Sequence, residues 1–477
     1  MPSSPGRSTT AASVALIVGI VIHAVFLLSL SRTHWLDPVF LEAQTAYGQA
    51  GDYFGIHQAG RNLLDGYSIY DCQNYRQEAT PVVPYLYFYR YLPPTAYVAA
   101  LGAAVFSPWQ GYWFWIVVNE LLLLGLLASL WRWPGITRTT RNALIGITLG
   151  FFPFYLEQWM GQYSLLMACC LWLVFASEIR RSDAEAAGSD ESPAADDGWR
   201  SVVTNRGFWA WVATLSVKSY TALFAIVYVL RGRWRTVLLA GVIVLALIIP
   251  YYLSRPEDLV EFLRLNLKPM PPKLGPVRYG LVAVTQFLGQ RFIPPDALAI
   301  DVGVKTITAS EVPVYAWIAF VGLVTAAITL RSFRHARAER LLVLWLLAFF
   351  AIYKDIWEYH HVMLLPALFT FILTVRSRVP WILLVWLALP SANILAVDFW
   401  KSVPMSEWSL AQVAVHHAFY ALPVGIFYVW VAKRCLERTT AQPNPSRGQE
   451  VTAERRKGRH GVVLACRTSR SHSVALP

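Results

Sequence analysis

Asp52, His57, Gln58 and Arg61 fall close together in GDYFGIHQAGRNLLDGYSIYD (51–71). Further along come Gln162 in EQWMGQ (157–162), a lone Lys218 inside the apolar run 207–230, and Glu358, His360 and His361 in KDIWEYHH (354–361). These residue types suit one chemistry together. An aspartate can take a proton from an attacking hydroxyl as general base. Lysine, arginine and histidine can stabilise the charge that develops on a departing phosphate. With phosphate leaving, no general acid is obligatory, so one carboxylate suffices. The pattern points to glycosyl transfer from a lipid-linked phosphosugar, with Asp52 as base and Lys218 as the first phosphate contact.

Each residue also has a plainer reading. Asp52 suits a helix N-cap. Lys218 suits a side chain that snorkels from a helix end, although a lysine in an apolar run normally has a partner. The histidines suit interface positions, and Arg255, Arg264, Lys268, Lys273, Arg278 and Arg291 suit solvated loop charges. Other chemistries lack their motifs. GxSxG, HExxH, CxxC and GxxxxGK[ST] are all absent, the nucleotide-sugar DxD motif is missing from the cytoplasmic loops, and the Asp196–Asp197 pair lies in a low-complexity acidic linker. No metal site and no cofactor is expected.

The elements that must position these residues are membrane helices. The chain has 477 residues, 56% of them hydrophobic and 15% charged, with mean hydropathy +0.42, the profile of a polytopic membrane protein. Its 20 Trp and 23 Tyr fit two interfacial aromatic belts. The net charge of +12 sits in short inter-helix loops and a basic tail, which positive-inside topology explains without nucleic acid. Residues 11–30 read as an uncleaved first helix.

Five arginine-rich segments, 131–141, 178–206, 231–235, 331–340 and 376–378, are expected in the cytoplasm. Only one crossing, 111–130, then fits between the first exterior loop and Trp131, so 91–106 reads as an interfacial or re-entrant helix. Residues 207–230 must enter and return, with Lys218 near the turn. The remaining spans fall near 142–157, 162–177, 236–253, 312–330, 341–353, 361–375, 379–397 and 411–432. The expected architecture is all-α, with about 12 transmembrane helices and interfacial helices in a first exterior loop at 31–110. It carries a cytoplasmic acidic linker at 180–203, disordered over 183–197, and a large exterior loop at 254–311. A transmembrane domain thus covers 1–435, followed by a disordered basic cytoplasmic tail at 436–477. No internal repeat is visible. The charges gather at the outer boundary of the membrane.

DYFGIHQAGRNLLDGYSIY resembles the D-x-x-x-x-x-x-A-G-x-x-x-L-x-G-x-x-x-Y pattern of glycosyltransferase family 87, polyprenyl-phosphate-mannose-dependent mannosyltransferases of the GT-C fold. YLPPTAYVAAL, GQYSLLMACCLWL, SVKSYTALFAIVYVLRGRWR and WEYHHVMLLPAL resemble further segments of that family, in order from about residue 13 to 375. The resemblance implies Asp52 as base, and Lys218 with His360 or His361 at the donor phosphate. His57, Gln58, Arg61, Gln162 and Glu358 complete the expected donor site. It also implies a polyprenyl-phosphate sugar donor, a glycolipid or glycan acceptor, and a multi-pass plasma-membrane protein with both termini cytoplasmic. Three competing readings are a transporter or flippase of lipid-linked sugars, an O-antigen-type polymerase or ligase, and a membrane scaffold. Transporters place ionisable residues near the midplane at a repeat interface, and neither feature is seen here.

The charge bias makes a direct prediction. Cysteines introduced in 51–71 or near Trp357 are expected to react with a membrane-impermeant thiol reagent in intact cells, and those introduced in 183–197 to stay protected. Labelling of 183–197 from outside would invert the topology.

Overall fold

The computed structural model describes residues 5–37, 49–71, 89–187, 198–267, 280–294, 299–301, 306–390 and 408–437. The helices are α1 (Pro5–Leu28), α2 (Gly51–Leu64), α3 (Pro93–Val105), α4 (Pro108–Trp131), α5 (Arg138–Leu149), α6 (Pro153–Met160), α7 (Ser164–Ala187), α8 (Trp199–Thr204) and α9 (Arg206–Val217). They continue with α10 (Phe224–Leu230), α11 (Trp234–Ser254), α12 (Pro256–Leu267), α13 (Leu281–Phe292), α14 (Val312–Ser332), α15 (Ala338–Ile352), α16 (Leu365–Thr374), α17 (Val379–Ala388) and α18 (Leu410–Leu436). Among the described residues five helical stretches are long and apolar enough to cross a membrane: Thr10–Ser31, Pro108–Trp131, Trp234–Ser254, Ala309–Ser332 and Leu410–Leu436. The chain is a helical membrane protein. A helix satisfies every backbone polar group within one segment, which is what hydrocarbon demands.

Local sequence sets where the helices start. Ser107 and Gln110 form a reciprocal capping box, with Pro108 at the first helical position of α4. The Asn205 side chain accepts from the Gly207 amide at 2.8 Å to open α9. Small residues set how close helices approach. Gly19 of α1 and Gly146 of α5 leave no room for a Cβ, because one added to either would meet the other helix's backbone. This is the small-residue packing of membrane helices. His23 of α1 bonds Glu120 of α4 at 2.9 Å, and Gln158 of α6 donates to the same carboxylate, so α1, α4 and α6 share one polar tie.

The helices share two chemically different ends. At one, Arg233 meets Glu178 at 2.6 Å and Arg337 meets Asp183 at 2.8 Å. The other end of α7, at Ser164, lies 14 residues from Glu178, a rise of about 21 Å. There α9 ends at Lys218, α15 ends just before Asp355, and a 3₁₀ turn spans Glu358–Leu364.

Several expectations take a definite form. Residues 207–230 are two short helices broken at Lys218, with a 3₁₀ turn over Ser219–Leu223. The segment 91–106 contains the short helix α3, and 51–64 is helical. The span expected over 142–157 is broken between Leu149 and Pro153. The acidic linker is shorter than expected. Helix α7 runs through Ala187, where Asp183 pairs with Arg337 and Glu185 lies near Arg181 and Arg233, and α8 covers Trp199–Thr204. These ion pairs give helical order to acids that in isolation favour solvent. Two three-residue strands, Ala299–Asp301 and Thr306–Thr308, pair antiparallel inside the 254–311 segment, a departure from an all-α chain that suits its β-branched residues. The basic tail and residues 188–197 lie outside the described residues.

The tight α1–α5 contact is testable. Gly146→Val is expected to cost ~1–3 kcal/mol or more through overpacking, read as a lower melting temperature of the purified protein in detergent. Gly125→Ala in α4, where an added Cβ meets nothing, is expected to be silent. Equal melting of the two variants would disprove the contact.

Candidate functional site

Asp52 lies in the first turn of α2, partly buried. It does not cap that helix: the capping position is Ala50, in the left-handed region at φ 65°, with no side-chain cap bond. Left-handed alanine is an unusual and costly conformation. The Ala50 amide donates to the Trp159 carbonyl at 2.8 Å, which ties the start of α2 to α6.

The Asp52 carboxylate instead receives the side-chain amide of Gln162. Gln162 is held from three directions. Tyr91 donates its hydroxyl to Oε1 at 2.8 Å, Tyr359 lies 3.3 Å from Nε2, and the Trp115 indole donates to the backbone carbonyl at 3.0 Å. With Oε1 taken by Tyr91, the amide nitrogen must face Asp52. Gly161 supplies the turn before Gln162. It sits at φ 69°, and a Cβ there would come within 2.5 Å of Tyr53, so glycine is required twice over.

Lys218 reaches the same centre from the break between α9 and the following 3₁₀ turn. The break is fastened by Trp211 donating to the Thr221 carbonyl at 2.9 Å and by a Thr214–Thr221 hydroxyl bond of 2.8 Å. The Lys218 ammonium lies 3.4 Å from His360 Nε2 and 5.7 Å from the Tyr91 ring. His360 Nδ1 accepts the Trp357 amide at 2.9 Å, so a neutral His360 carries its proton on Nε2. Both nitrogens are then donors. That arrangement suits a shared anionic acceptor better than a bond between them.

Arg90, Asp355 and Glu157 complete the cluster. Arg90 bonds Asp355 at 2.7 Å, and the Trp357 indole donates to the other Asp355 oxygen at 2.8 Å. Glu157 is fully buried and accepts the Leu165 amide at 3.0 Å, capping α7. Lys218 feels the charges of Glu157, Asp52 and Asp355. Burial pushes the Asp52 carboxyl up to about 6, and the Gln162 bond, Lys218 and Arg90 hold it from rising further.

Of the residues expected to form the site, Asp52, Gln162, Lys218 and His360 come together. His57, Gln58 and Arg61 do not. At about 100° per residue they sit roughly 140°, 120° and 180° around α2 from Asp52. His57 bonds the Phe106 carbonyl at 3.2 Å, Gln58 reaches the Asp71 carbonyl at 3.4 Å, and exposed Arg61 pairs with Asp65 at 3.0 Å. These three hold the loops around α2. His361 and Glu358 point into the bundle. His361 packs between Phe350 and Tyr420, with Nδ1 3.0 Å from the Glu358 carbonyl, and Glu358 accepts from Tyr420 at 2.6 Å. Of the loop bases, Arg255 donates to the Gly66 carbonyl and Arg264 pairs with Glu261; Lys268, Lys273 and Arg278 lie outside the described residues.

Sequence reasoning left out Arg90, Asp355 and Glu157 as site residues. Each had a signal. Glu157 and Asp355 lie in the quoted segments EQWMGQ and KDIWEYHH, and Arg90 precedes the Pro-Pro helix. An open cleft of about 410 Å³ lies at the opposite end among Glu178, Arg181, Asn205 and Arg233. Its buried arginine and glutamate already satisfy each other. Among the described residues no set of three His, Cys, Asp or Glu side chains is arranged to hold a metal ion. No family model, curated protein or solved structure matches this chain.

Proposed function

We propose that this chain is a membrane glycosyltransferase of GT-C type. It moves a sugar, mannose being the first candidate, from a polyprenyl-phosphate carrier to a lipid or glycan acceptor at the outer face of the plasma membrane. The observation that carries the reading is one carboxylate, Asp52, held by an oriented amide beside a Lys218–His360 donor pair. Twelve crossings accommodate the helices. They are α1, α4, the broken α5–α6 pair, α7, α9, the segment through α10, α11, α14, α15, the segment through α16, α17 and α18. The arginine-rich ends then face the cytoplasm and the Asp52 cluster the exterior.

The chemistry is an inverting displacement. Asp52 accepts the proton of the acceptor hydroxyl, whose oxygen forms a bond to the anomeric carbon. The bond from that carbon to the phosphate oxygen breaks, and the electron pair leaves with the polyprenyl phosphate. The Lys218 ammonium and the His360 Nε2–H meet that charge, and Arg90 stands close enough to add to the field. Gln162 holds the base in place and keeps it from swinging onto Lys218.

Two measurements test this in a transfer assay with a polyprenyl-phosphate-mannose donor and a lipid-extract acceptor. Asp52→Asn keeps the shape and the Gln162 contact but removes basicity, so turnover is expected to fall on the order of 10²–10⁴-fold. In the wild type, the ionised base is lost as pH falls through about 6, so turnover is expected to drop tenfold per unit below that point. Asp52→Asn at full rate would move the base elsewhere. Lys218→Ala is expected to raise the donor KM roughly 10–100-fold, the loss of a charged hydrogen bond of ~1.5–3 kcal/mol, with Lys218→Arg recovering part. An unchanged donor KM would remove Lys218 from the phosphate. Donor translocation in vesicles with no product would favour a flippase.

A further inference from the structure

Charges at the centre do not balance for a phosphate ligand. With every group ionised, Lys218 and Arg90 supply two positive charges, and Asp52, Glu157 and Asp355 supply three negative ones. With His360 neutral, the empty centre carries one net negative charge. A phosphodiester brings another. Inside a protein, where charges are weakly screened, two net negative charges around one lysine are costly. A proton that enters with the ligand removes one of these charges.

The three carboxylates are not equivalent as its acceptor. Asp355 is in direct contact with Arg90 at 2.7 Å and with the Trp357 indole at 2.8 Å. Asp52 accepts the Gln162 amide and, on the function proposed above, must stay ionised to act. Among the described residues no cation is in contact with Glu157. One of its oxygens caps α7 through the Leu165 amide, and the other is buried without a hydrogen-bond partner. The buried Ser164 hydroxyl lies beside the carboxylate, a rotor able to donate to it when ionised and to accept from its proton when neutral.

We infer that Glu157 is a positioning residue, the resident counter-charge of Lys218, and that it takes one proton from solvent when a phosphodiester binds. The carboxylate becomes a carboxyl, its hydrogen turns toward Ser164, and Lys218 transfers its attraction to the phosphate. The inference rests on the phosphate reading of Lys218. Other titratable groups stand around Glu157 and need separating from it. Asp52, Tyr53 and His57 lie on α2, Glu358, Tyr359, His360 and His361 on the 3₁₀ turn, His34 at the end of the π turn Ser29–Thr33, and Lys218, Tyr91 and Tyr220 within reach of its charge.

The sign follows from linkage. A group that gains a proton on binding has a higher pKa in the bound state, so affinity is constant below its free pKa and falls about tenfold per pH unit between the two values. Glu157→Gln is neutral at every pH, and its amide oxygen still accepts the Leu165 amide. The test titrates purified protein with farnesyl-phosphoryl-mannose, a diester whose single charge does not change over the range used. Wild type is expected to bind more weakly as pH rises. Glu157→Gln is expected to bind with little pH dependence and roughly tenfold or more tighter than wild type at the alkaline end. Calorimetry of the wild type in two buffers of different ionisation enthalpy is expected to show close to one proton taken up per diester, a readout that needs no variant. Binding by wild type without proton uptake, or an unchanged pH dependence in Glu157→Gln, overturns the inference and leaves the transferase reading in place. Failure of wild type to bind the diester at any pH overturns both.

Discussion

An ammonium group with three carboxylates in its field, inside a protein otherwise dominated by apolar side chains, is the costliest arrangement this chain maintains. Among the described residues no carboxylate is in direct contact with Lys218, whose near neighbour is His360 at 3.4 Å. Its charge is answered through space by Glu157, Asp52 and Asp355, and those acids are in turn fixed by Leu165, Gln162 and Arg90. Losing any one of these fixings leaves a buried charge without compensation, which costs more than the bond itself was worth. Much of the architecture near this end reads as a means of bringing those groups within reach of one another.

Backbone irregularity shows the same constraint. The π turn at Ser29–Thr33, left-handed Ala50, the gap between α5 and α6, left-handed Gly161, the break at Lys218 and the 3₁₀ turn at Glu358–Leu364 all sit toward one end of the bundle. Unpaired backbone groups are intolerable against lipid and tolerable where protein or water lines a cavity. Each break also redirects a functional side chain. Gly161 aims Gln162, the Lys218 break ends α9, and the residues between Tyr353 and Trp357 turn Asp355 toward Arg90. At the arginine-rich end, ion pairs such as Arg233–Glu178 tie helix ends together, and left-handed Gly135 and Gly232 serve the turns between helices.

How much of this the sequence carried depends on the range of the interaction. Charge bias placed a turn near Lys218 and an interfacial or re-entrant helix over 91–106, where the helix found is Pro93–Val105, because both follow from local composition and crossing parity. The Gly161–Gln162 and His360 positions were visible as motif residues. His57, Gln58 and Arg61 were grouped with Asp52 by closeness in sequence, and helical rotation carries them to other faces of α2. Glu157, Arg90 and Asp355 were hidden for the opposite reason. Arg90 and Asp355 lie 265 positions apart in the chain, and no spacing rule selects which acid meets which arginine. The choice between His360 and His361 likewise required the 3₁₀ turn, which sends one ring to Lys218 and the next to Tyr420.

Helix length refines the depth of the proposed site. Charge placement alone put the ionisable groups at the outer boundary of the membrane. Yet α9 has 12 residues, a rise of about 18 Å, against about 30 Å of hydrocarbon. Helix α15, which ends before Asp355, has 15 residues and rises about 22 Å. If both start at the cytoplasmic boundary marked by Arg206 and Arg337, neither reaches the outer boundary. The Asp52 cluster then lies recessed by several ångströms, beneath the level to which longer helices such as α4 and α11 extend. A recess there excludes water, which strengthens every charge interaction within it. On the proposed function such a recess favours a phosphate carried on an apolar chain, since a lipid-linked head group can enter sideways from the leaflet, whereas a soluble phosphosugar would have to shed its hydration and descend from above.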